Sequence, residues 1–321
     1  MTARVLSADD PAAIAEAADL IRGGGLVAFP TETVYGLGAN ALDARAVARV
    51  FEAKARPSFD PLIVHVASLA ELARVAQPTD SRVPLLAERF WPGPLTLVLP
   101  RQPEVPDIVT SGRDTVGVRV PGHPAAHALL VAARTPIAAP SANPFGQVSP
   151  TTAAHVAEQL GALVDLILDG GPCRVGVEST ILLLAVDPPV VLRPGGVSRE
   201  QLEATLGRRP DLGSADGKPL APGQLPKHYA TRTRLRILDD PLAPATGRVG
   251  LLAFAPRAPG GFAAVEVLAE DGSLATAAAN LFAALRRLDA LSLDLIVAES
   301  CPETGLGLAI MDRLRRAAAQ S

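Results

Sequence analysis

The stretch PAAIAEAADLIRGGGLVAFPTETVYGLG, residues 11–38, decides the fold class. Its first half has apolar residues at helical spacing after Asp9-Asp10-Pro11, a typical helix start, and Gly23-Gly24-Gly25 ends that helix. Leu26–Phe29 is a short apolar run that predicts a buried strand, and a polar loop with two glycines follows it. A helix, a buried strand and a polar loop in this order indicate an α/β domain.

The same alternation continues outward to about residue 207. Asp43 and Thr151 begin predicted helices, and the capping-box patterns that start at Ser68 and Ser198 begin two more, the last of which ends at Gly207. Apolar runs predict strands at 62–66, 95–99, 116–120, 163–168, 179–184 and 190–192.

The composition changes at residues 208–233, which are rich in proline and glycine and lack apolar periodicity. This segment predicts a linker. A smaller α/β unit follows it, with an amphipathic helix over 274–288 and a last helix over 308–319. Its predicted strands are 235–238, 249–254, 264–268 and 293–298. We therefore predict two domains, 1–207 and 234–321, joined by a linker over 208–233.

Composition excludes several classes of protein. The chain has 321 residues, of which 48% are hydrophobic and 20% are charged, so a disordered chain is excluded. No apolar run reaches the ~18 residues of a membrane-spanning helix, and the polar N-terminus predicts no export signal. Two distant cysteines cannot form a zinc cluster or a disulfide framework, so we expect a cytoplasmic protein.

Charge and aromatic content disfavour nucleic-acid binding as the main task. The net charge is −3 and aromatic residues make up 3% of the chain, whereas phosphate-binding and base-stacking surfaces need basic and aromatic residues. Arginine replaces lysine almost everywhere. The three lysines that remain, Lys54, Lys218 and Lys227, therefore hint at positions where an ammonium is needed, although chance explains them equally well.

Residue types alone indicate several candidate site segments. Residues 30–38 and 140–150 are loops rich in hydroxyl groups. The first suits a ligand site and a structural turn equally well, whereas the spacing in the second slightly favours simple turn chemistry. Lys54 and Arg56 end a helix, where they could bind a polyphosphate or complement the helix dipole. Arg119 lies in an apolar strand, where a guanidinium is costly unless it meets an anion.

Other catalytic motifs are missing. The sequence has no GxxxxGK[ST] loop, no dinucleotide fingerprint and no GxSxG elbow. His123 and His127 are four residues apart, but no glutamate, cysteine or further carboxylate completes a metal site beside them. The residues by themselves therefore indicate an α/β enzyme with an anion site.

A set of motifs, in order along the chain, is more specific. They are PTETVYGLGANA (30–41), KARPSFDPLIVHV (54–66), WPGPLTLVL (91–99), VGVRVPGHP (116–124), APSANPFGQVSPT (139–151), GVEST (176–180) and LRPG (192–195). Together they resemble the YrdC-type domain of the threonylcarbamoyl-AMP synthases. APGQLPKHYA (221–230) and GLGLAIMDRLRRAA (305–318) are similar to the linker and the final helix of the long, two-domain form.

The resemblance implies a fold and a reaction. The fold is a YrdC-type twisted mixed sheet with flanking helices, plus a smaller Rossmann-like α/β domain at the C-terminus. The reaction converts L-threonine, bicarbonate and ATP into threonylcarbamoyl-adenylate and pyrophosphate. The product serves the threonylcarbamoyltransferase machinery that modifies the tRNA adenosine beside the anticodon. Mg²⁺ would accompany ATP through its phosphates, without a metal site built by the protein.

The resemblance also implies residue roles. The catalytic tetrad falls on Lys54, Arg56, Ser141 and Asn143, with both cations expected at the edge of an open cleft. The implied threonine contacts are Thr33, His65, Arg119, Ala139 and Ser179. The implied ATP contacts are Arg56, Asp60, Thr115, Ser141, Ser149, Arg193 and Tyr229. The family pattern usually has Asn where this chain has Asp60, a carboxylate that would repel phosphates unless Arg56 or Mg²⁺ intervenes.

Three alternatives compete with the synthase. They are an RNA-binding YrdC-type module without synthase activity, a carbamoyltransferase of the hydrogenase-maturation type, and a regulatory protein that binds a ligand without turnover. The hydrogenase-maturation type carries cysteine-paired zinc fingers, which two cysteines cannot supply. The linker residues Lys227, His228 and Tyr229 are expected to form a lid that orders over the nucleotide, with a plain spacer as the alternative.

Overall fold

The computed structural model describes residues 3–213, 220–226, 228–238, 247–256 and 260–319. Their first part forms one large sheet. Its strands are β1 Arg4–Ser7, β2 Val27–Phe29, β3 Gly36–Asn40, β4 Ile63–His65, β5 Leu95–Pro100, β6 Thr115–Arg119, β7 Ile137–Ala138, β8 Leu166–Asp169, β9 Thr180–Leu183, β10 Val190–Arg193 and β11 Asp211–Leu212. The spatial order is β1-β8-β2-β3-β7-β4-β6-β5-β9-β10-β11.

Parallel and antiparallel pairs mix in this sheet. Strand β4 runs parallel to β6, for example, whereas β5 runs antiparallel to β6. The accompanying helices are α1 Pro11–Arg22, α2 Ala44–Lys54, α3 Arg82–Phe90, α4 Asp107–Thr110, α5 Pro124–Ala133, α6 Ala153–Leu160 and α7 Arg199–Leu206. The predicted mixed sheet with flanking helices is confirmed.

A second, smaller sheet follows the linker. Its strands are β12 Leu235–Leu238, β13 Val249–Ala253, β14 Ala264–Val267 and β15 Leu295–Glu299, in the order β12-β15-β13-β14, and every pair is parallel. Two helices accompany it, α8 Leu274–Asp289 and α9 Gly307–Ala318. This arrangement confirms the predicted C-terminal α/β unit. None of the described helices is long and apolar enough to cross a membrane.

Helix starts follow the predicted caps at α1, α2 and α7, whereas α6 is capped by Thr152 instead of beginning at the predicted Thr151, and Ser68 is not a cap. Asp10, Asp43 and Ser198 accept backbone hydrogen bonds at the starts of α1, α2 and α7, and Gln201 completes the capping box of α7. Ser68 makes no side-chain cap, and Leu69–Arg74 is a 3₁₀ helix. Its apolar residues recur at a strict spacing of three, which suits a 3₁₀ turn, where residues i and i+3 lie above one another.

The loop predicted over residues 30–38 is shorter than expected. Strand β3 begins at Gly36 and pairs antiparallel with β2, so only residues 30–35 form the connection. Glycine hides this strand from sequence patterns, because it has low strand propensity. The pairing needs it nonetheless: a Cβ at Gly38 would lie 2.8 Å from the Phe29 ring.

The two domains share apolar packing. The hydrophobic cluster under α8 and α9 includes Val34, Val148 and Val177 of the first domain and Tyr229 of the linker. The linker therefore has a buried anchor in the core of the second domain, although its composition predicted a segment without a core.

Candidate active site

Residues from nearly every motif line one cleft. It encloses about 540 Å³, open solvent included, beside the loop after β2, the end of α2 and the strands β4 and β6. Linker residues 222 and 223 and His228 line its outer side. The lining residues are Thr31, Thr33, Val34, Gly36, Arg56, Ile63, His65, Arg119, Ala139, Pro140, Ser141, Glu178, Ser179, Arg193, Pro222, Gly223 and His228.

All five positions predicted to contact threonine line this cleft. Arg119 is held on three sides: Nε donates to the Gly93 carbonyl (3.1 Å), Nη1 donates to Thr33 Oγ1 (3.0 Å), and Nη2 pairs with Glu32 Oε1 (2.7 Å). The anion that a buried Arg119 requires is therefore the protein's own Glu32. The two hydrogen bonds use two of the five guanidinium N–H groups, and Nη2, which makes no hydrogen bond to the described residues, keeps two N–H groups for a substrate carboxylate.

His65 lies beside Arg119, because the two residues are partners in the β4–β6 register. Burial, with the Arg119 charge adding to it, lowers the pKa of His65 to about 3. The imidazole is therefore neutral at physiological pH, and its buried Nδ1 makes no hydrogen bond to the described residues. A neutral ring suits hydrogen bonding to a hydroxyl group rather than charge pairing.

The predicted tetrad divides into two pairs. Arg56 and Ser141 line the cleft, whereas Lys54 and Asn143 lie behind it, each 1% exposed. The expectation that both cations sit at an open edge is wrong, because Arg56 is also buried, at 8% exposure. Ala55 between the two cations has φ 49°, and this left-handed turn ends α2 and separates the directions of its neighbours.

Arg56 is ion-paired with Asp60, the residue that departs from the family pattern. Arg56 Nη2 lies 2.9 Å from Asp60 Oδ2, and both side chains are almost fully buried. Arg56 also donates to the backbone carbonyls of Asp60 (3.0 Å) and Pro61 (2.8 Å). Burial raises the pKa of Asp60, while Arg56 and Lys54 oppose that rise.

Arg193 ties the sheet to the linker. Its Nε and Nη2 donate to the Ser179 carbonyl (3.1 and 3.0 Å), and Nη1 donates to the Pro222 carbonyl (3.3 Å). Thr115, a predicted ATP contact, lies outside the cleft in a smaller neighbouring pocket that linker residues 220–222 also line. Linker residues thus border both cavities.

Ser149 lies behind the cleft and connects it with the second domain. Its hydroxyl donates to Glu178 Oε1 (2.6 Å), and Glu178 Oε2 accepts from Arg313 Nε (2.9 Å) on helix α9. Burial alone would raise the pKa of Glu178, but the Arg313 and Arg193 guanidiniums and the Ser149 hydroxyl lower it to about 2. A lining carboxylate of the first domain is therefore held ionised by a fully buried arginine of the second.

Tyr229 is also absent from the cleft lining. Its ring stacks on Phe282 (centroids 5.4 Å apart) under the Arg313 guanidinium (5.3 Å), at φ 64°. Its neighbour His228 does line the cleft, with its ring edge-on to Tyr229. Lys227, named in the lid prediction, lies outside the described residues.

Motif reasoning missed four contributors, namely Glu32, Glu178, Arg313 and Pro222. All four stand inside quoted motifs. For the two glutamates the available signal was a charge among apolar or hydroxyl-bearing neighbours. For Arg313 the signal was position: it shares a helix face with Ile310 and Leu314, both buried.

Metal-binding residues do not cluster here. Within the described ranges no group of three or more His, Cys, Asp and Glu side chains could hold a metal ion. His123, one of the pair with metal-like spacing, instead caps helix α5 by accepting from the Ala125 amide (3.1 Å).

Comparisons with known proteins agree over both domains. A family model described as "Telomere recombination" matches residues 19–195, and one described as "Threonylcarbamoyl-AMP synthase, C-terminal domain" matches residues 197–319. The threonylcarbamoyl-AMP synthase of Pyrococcus abyssi is 46% identical over 94% of this chain and 92% of its own length. That of Bacillus subtilis is 46% identical over 98% and 94%.

A solved structure extends this similarity to the fold. The crystal structure of P. abyssi Sua5 complexed with L-threonine matches with a TM-score of 0.90 at 43% identity, and covers 96% of this chain and 95% of that one. The chain therefore belongs to the threonylcarbamoyl-AMP synthase family.

Proposed function

We infer that the chain synthesises threonylcarbamoyl-adenylate and pyrophosphate from L-threonine, bicarbonate and ATP. It acts as a nucleotidyltransferase in threonylcarbamoyladenosine modification of tRNA, next to the anticodon. Family membership supports this function. The structural observation that carries it is the convergence of all five predicted threonine positions, with Arg56, Ser141 and Arg193, on one cleft.

The amino-acid end of the cleft suits threonine. Arg119 offers two N–H groups for the carboxylate, and such paired, charge-assisted bonds fix both position and orientation. Neutral His65 suits the threonine hydroxyl, and Ile63 and Ala139 supply apolar surface for its methyl group. These assignments rest on residue chemistry and on the motif resemblance.

The other end suits ATP. Arg56 and Arg193 provide positive charge in a buried setting, where electrostatic stabilisation is stronger than in water. The pocket with Thr115 is too small for a nucleoside as it stands, so it is our candidate for that group once linker residues 220–222 move away from it. Asp60, Ser149 and Tyr229 act from behind these surfaces in this proposal, through Arg56, Glu178 and the linker respectively.

The chemistry requires alignment more than a nucleophile from the protein. The threonine amine forms a C–N bond with bicarbonate and water leaves, which gives a carbamate. A carbamate oxygen then attacks the α-phosphorus of ATP, and the bond to the pyrophosphate oxygen breaks. Both reactants are anions, so cations that neutralise charge and hold the two in line supply most of the acceleration.

Mg²⁺ is part of this proposal as a companion of ATP. The one carboxylate in the described lining is Glu178, and both of its oxygens already accept bonds from Ser149 and Arg313. Such a donor set fits an ion held by phosphates and water rather than by a protein cage. When bound, the ion would neutralise phosphate charge beside Arg56 and Arg193.

The test is pyrophosphate release from the purified protein with ATP, Mg²⁺, bicarbonate and threonine, omitting one component at a time. We expect release to need threonine and bicarbonate together. Serine should replace threonine with modestly lower efficiency, because one methyl group is worth about 1–3 kcal/mol in a pocket. Equal pyrophosphate release without any amino acid would refute the synthase.

The wider setting completes the proposal. The product would pass to the tRNA threonylcarbamoyltransferase machinery in the cytoplasm. Retention of tRNA that depends on salt but comes without ATP turnover would instead favour the RNA-binding module.

A further inference from the structure

Lys54 has an unusual environment for a cation beside a phosphate site. It is the last residue of α2 and is 1% exposed. Its Nζ donates to the backbone carbonyls of Ser141 (2.6 Å) and Asn143. Its own backbone carbonyl accepts from the Phe145 amide (2.8 Å). One residue therefore fastens the loop over 141–145 at three points.

Asn143 fixes the same loop from within. Its Nδ2 donates to the carbonyls of Pro144 and Gln147, both at 2.9 Å, and its side chain is as deeply buried as that of Lys54. Ser141, at the start of the loop, is the residue that faces the cleft. The shape of the loop, and with it the place of Ser141, thus depends on side chains that do not reach the cleft.

The contrast with Arg56 is direct, because the two cations are separated only by Ala55. Arg56 lines the cleft and pairs with a carboxylate, whereas the partners of Lys54 are neutral carbonyls on the far side of the loop. The left-handed turn at Ala55 sends the two side chains to these different surroundings.

We propose that Lys54 is a positioning residue: it acts on the reaction through the 141–145 backbone, which places Ser141, and not by contact with the ATP phosphates. This inference rests on the proposed synthase function, and assigns the work of charge neutralisation to Arg56 and Arg193. Lys54 and Asn143 form the support, and Arg56 and Ser141 form the surface that meets substrate.

The protonation chemistry agrees with the geometry. Burial, with the Arg56 charge adding to it, lowers the pKa of Lys54 well below its usual value. Two carbonyls accept from Nζ, and an ammonium with three N–H groups or a neutral amine with two can both supply these bonds. The contacts themselves therefore do not require positive charge.

The experiment compares two neutral replacements. Lys54→Met keeps the apolar stem and removes both donors. Lys54→Gln removes the charge but brings two amide N–H groups, one bond nearer the backbone. We expect Met to lower kcat/KM for ATP about 100-fold, because a misplacement of about 1 Å in a substrate-facing group such as Ser141 typically costs that much. Gln should remain within about tenfold of the wild-type chain, because it can still donate to a carbonyl.

Arg56→Met and Arg56→Gln are the matched controls. Because Arg56 acts by its charge on the cleft side, both replacements should lower kcat/KM for ATP by the same factor. Hydrogen–deuterium exchange of peptides covering 141–147 gives a readout without turnover. Exchange should rise in Lys54→Met and return toward wild type in Lys54→Gln. It should change much less in Arg56→Met, because the Arg56 guanidinium contacts this loop only over the Phe145 ring (5.8 Å).

Two outcomes would overturn the proposal. Equal losses in Lys54→Gln and Lys54→Met would mean that the charge itself is needed. Unchanged exchange over 141–147 in Lys54→Met would mean that Lys54 does not hold the loop. If the wild-type chain released no threonine-dependent pyrophosphate, the proposed function would fail, while the exchange result would still decide the role of Lys54.

Discussion

Replacing Arg313 with Met should destabilise the protein and weaken ATP use together. The guanidinium is fully buried, and Nε bonds Glu178 Oε2 while Nη1 bonds the Pro194 carbonyl (2.8 Å). Methionine fills similar volume without a charge. The change therefore leaves the buried Glu178 carboxylate without its main partner, although Ser149 and Arg193 still contribute.

Two related arguments give the magnitude. Breaking a buried ion pair by removing one partner typically costs about 3–5 kcal/mol. Against the opposing effect of burial, Arg313, Arg193 and Ser149 together lower the pKa of Glu178 from 4.5 to about 2, which corresponds to about 3 kcal/mol of stability at neutral pH, with Arg313 as the largest contributor of the three. Because the folded-state pKa lies below the unfolded value, this stabilisation is complete above about pH 4.5 and is lost as the pH falls toward 2.

Urea unfolding followed by circular dichroism, at pH 7 and at pH 4, measures this loss. Arg313→Met should be less stable by about 3 kcal/mol at pH 7, with a smaller difference at pH 4. The KM for ATP should rise more than the KM for threonine, because Arg313 no longer fixes Glu178, the acceptor of the Ser149 hydroxyl. The matched control is Arg315→Met on the same helix, whose exposed pair with Glu303 should be worth less than about 1 kcal/mol.

A second variant keeps the test decisive if Arg313→Met folds poorly. Glu178→Gln together with Arg313→Met removes both charges, so it should recover part of the lost stability. The reasoning is refuted if Arg313→Met unfolds within about 1 kcal/mol of wild type at pH 7 with an unchanged KM for ATP.

Further predictions concern the cleft and the linker. Asp60→Asn should lower the KM for ATP by about tenfold, because Arg56 loses a competing carboxylate worth ~1.5 kcal/mol; a raised KM in steady-state kinetics would contradict this. Arg56→Gln should lower kcat/KM for ATP by ~100-fold, and rates close to those of the wild-type chain would mean that Arg56 has only a structural role. Because the pKa of His65 is about 3, its imidazole does not titrate near pH 6.5. The KM for threonine should therefore have the same pH dependence near pH 6.5 in the wild-type chain and in His65→Gln. ATP with threonine should slow proteolysis near Lys227, and Tyr229→Ala should weaken ATP use; equal cleavage rates with and without substrates would leave the linker a plain spacer.

The sequence predicts the fold well where pattern and local chemistry coincide. Asp10, Asp43 and Ser198 cap their helices as expected, because capping depends on a few neighbouring residues. Strand β3 was not predicted, because glycine at positions 36 and 38 is not typical of a strand. The close approach of this strand to Phe29 nevertheless requires glycine there.

The candidate site could likewise be predicted only in part. Motif resemblance identified side chains that converge on the cleft, but not the partners that hold them. Glu32 meets Arg119 and Glu178 meets Arg313 only through tertiary packing, across 87 and 135 residues of chain. Likewise, the position of Lys54 at a helix end suggested exposure, whereas the fold lays the 141–145 loop over it. Such contacts follow from packing of distant segments, which local patterns do not encode.

The arginines of the cleft share one further property: each is already bonded to oxygens of the protein. Arg56 holds Asp60, Arg119 holds Glu32, and Arg193 holds the carbonyls of Ser179 and Pro222. An arriving phosphate or carboxylate therefore meets cations whose positions are already fixed. Asp60 and Glu32 offset part of the charge of Arg56 and Arg119, whereas the carbonyls on Arg193 leave its charge for the substrate. Much of the desolvation of these cations is completed when the chain folds. Substrate binding should consequently depend only weakly on ionic strength and release few ions, unlike binding to a surface patch of arginines.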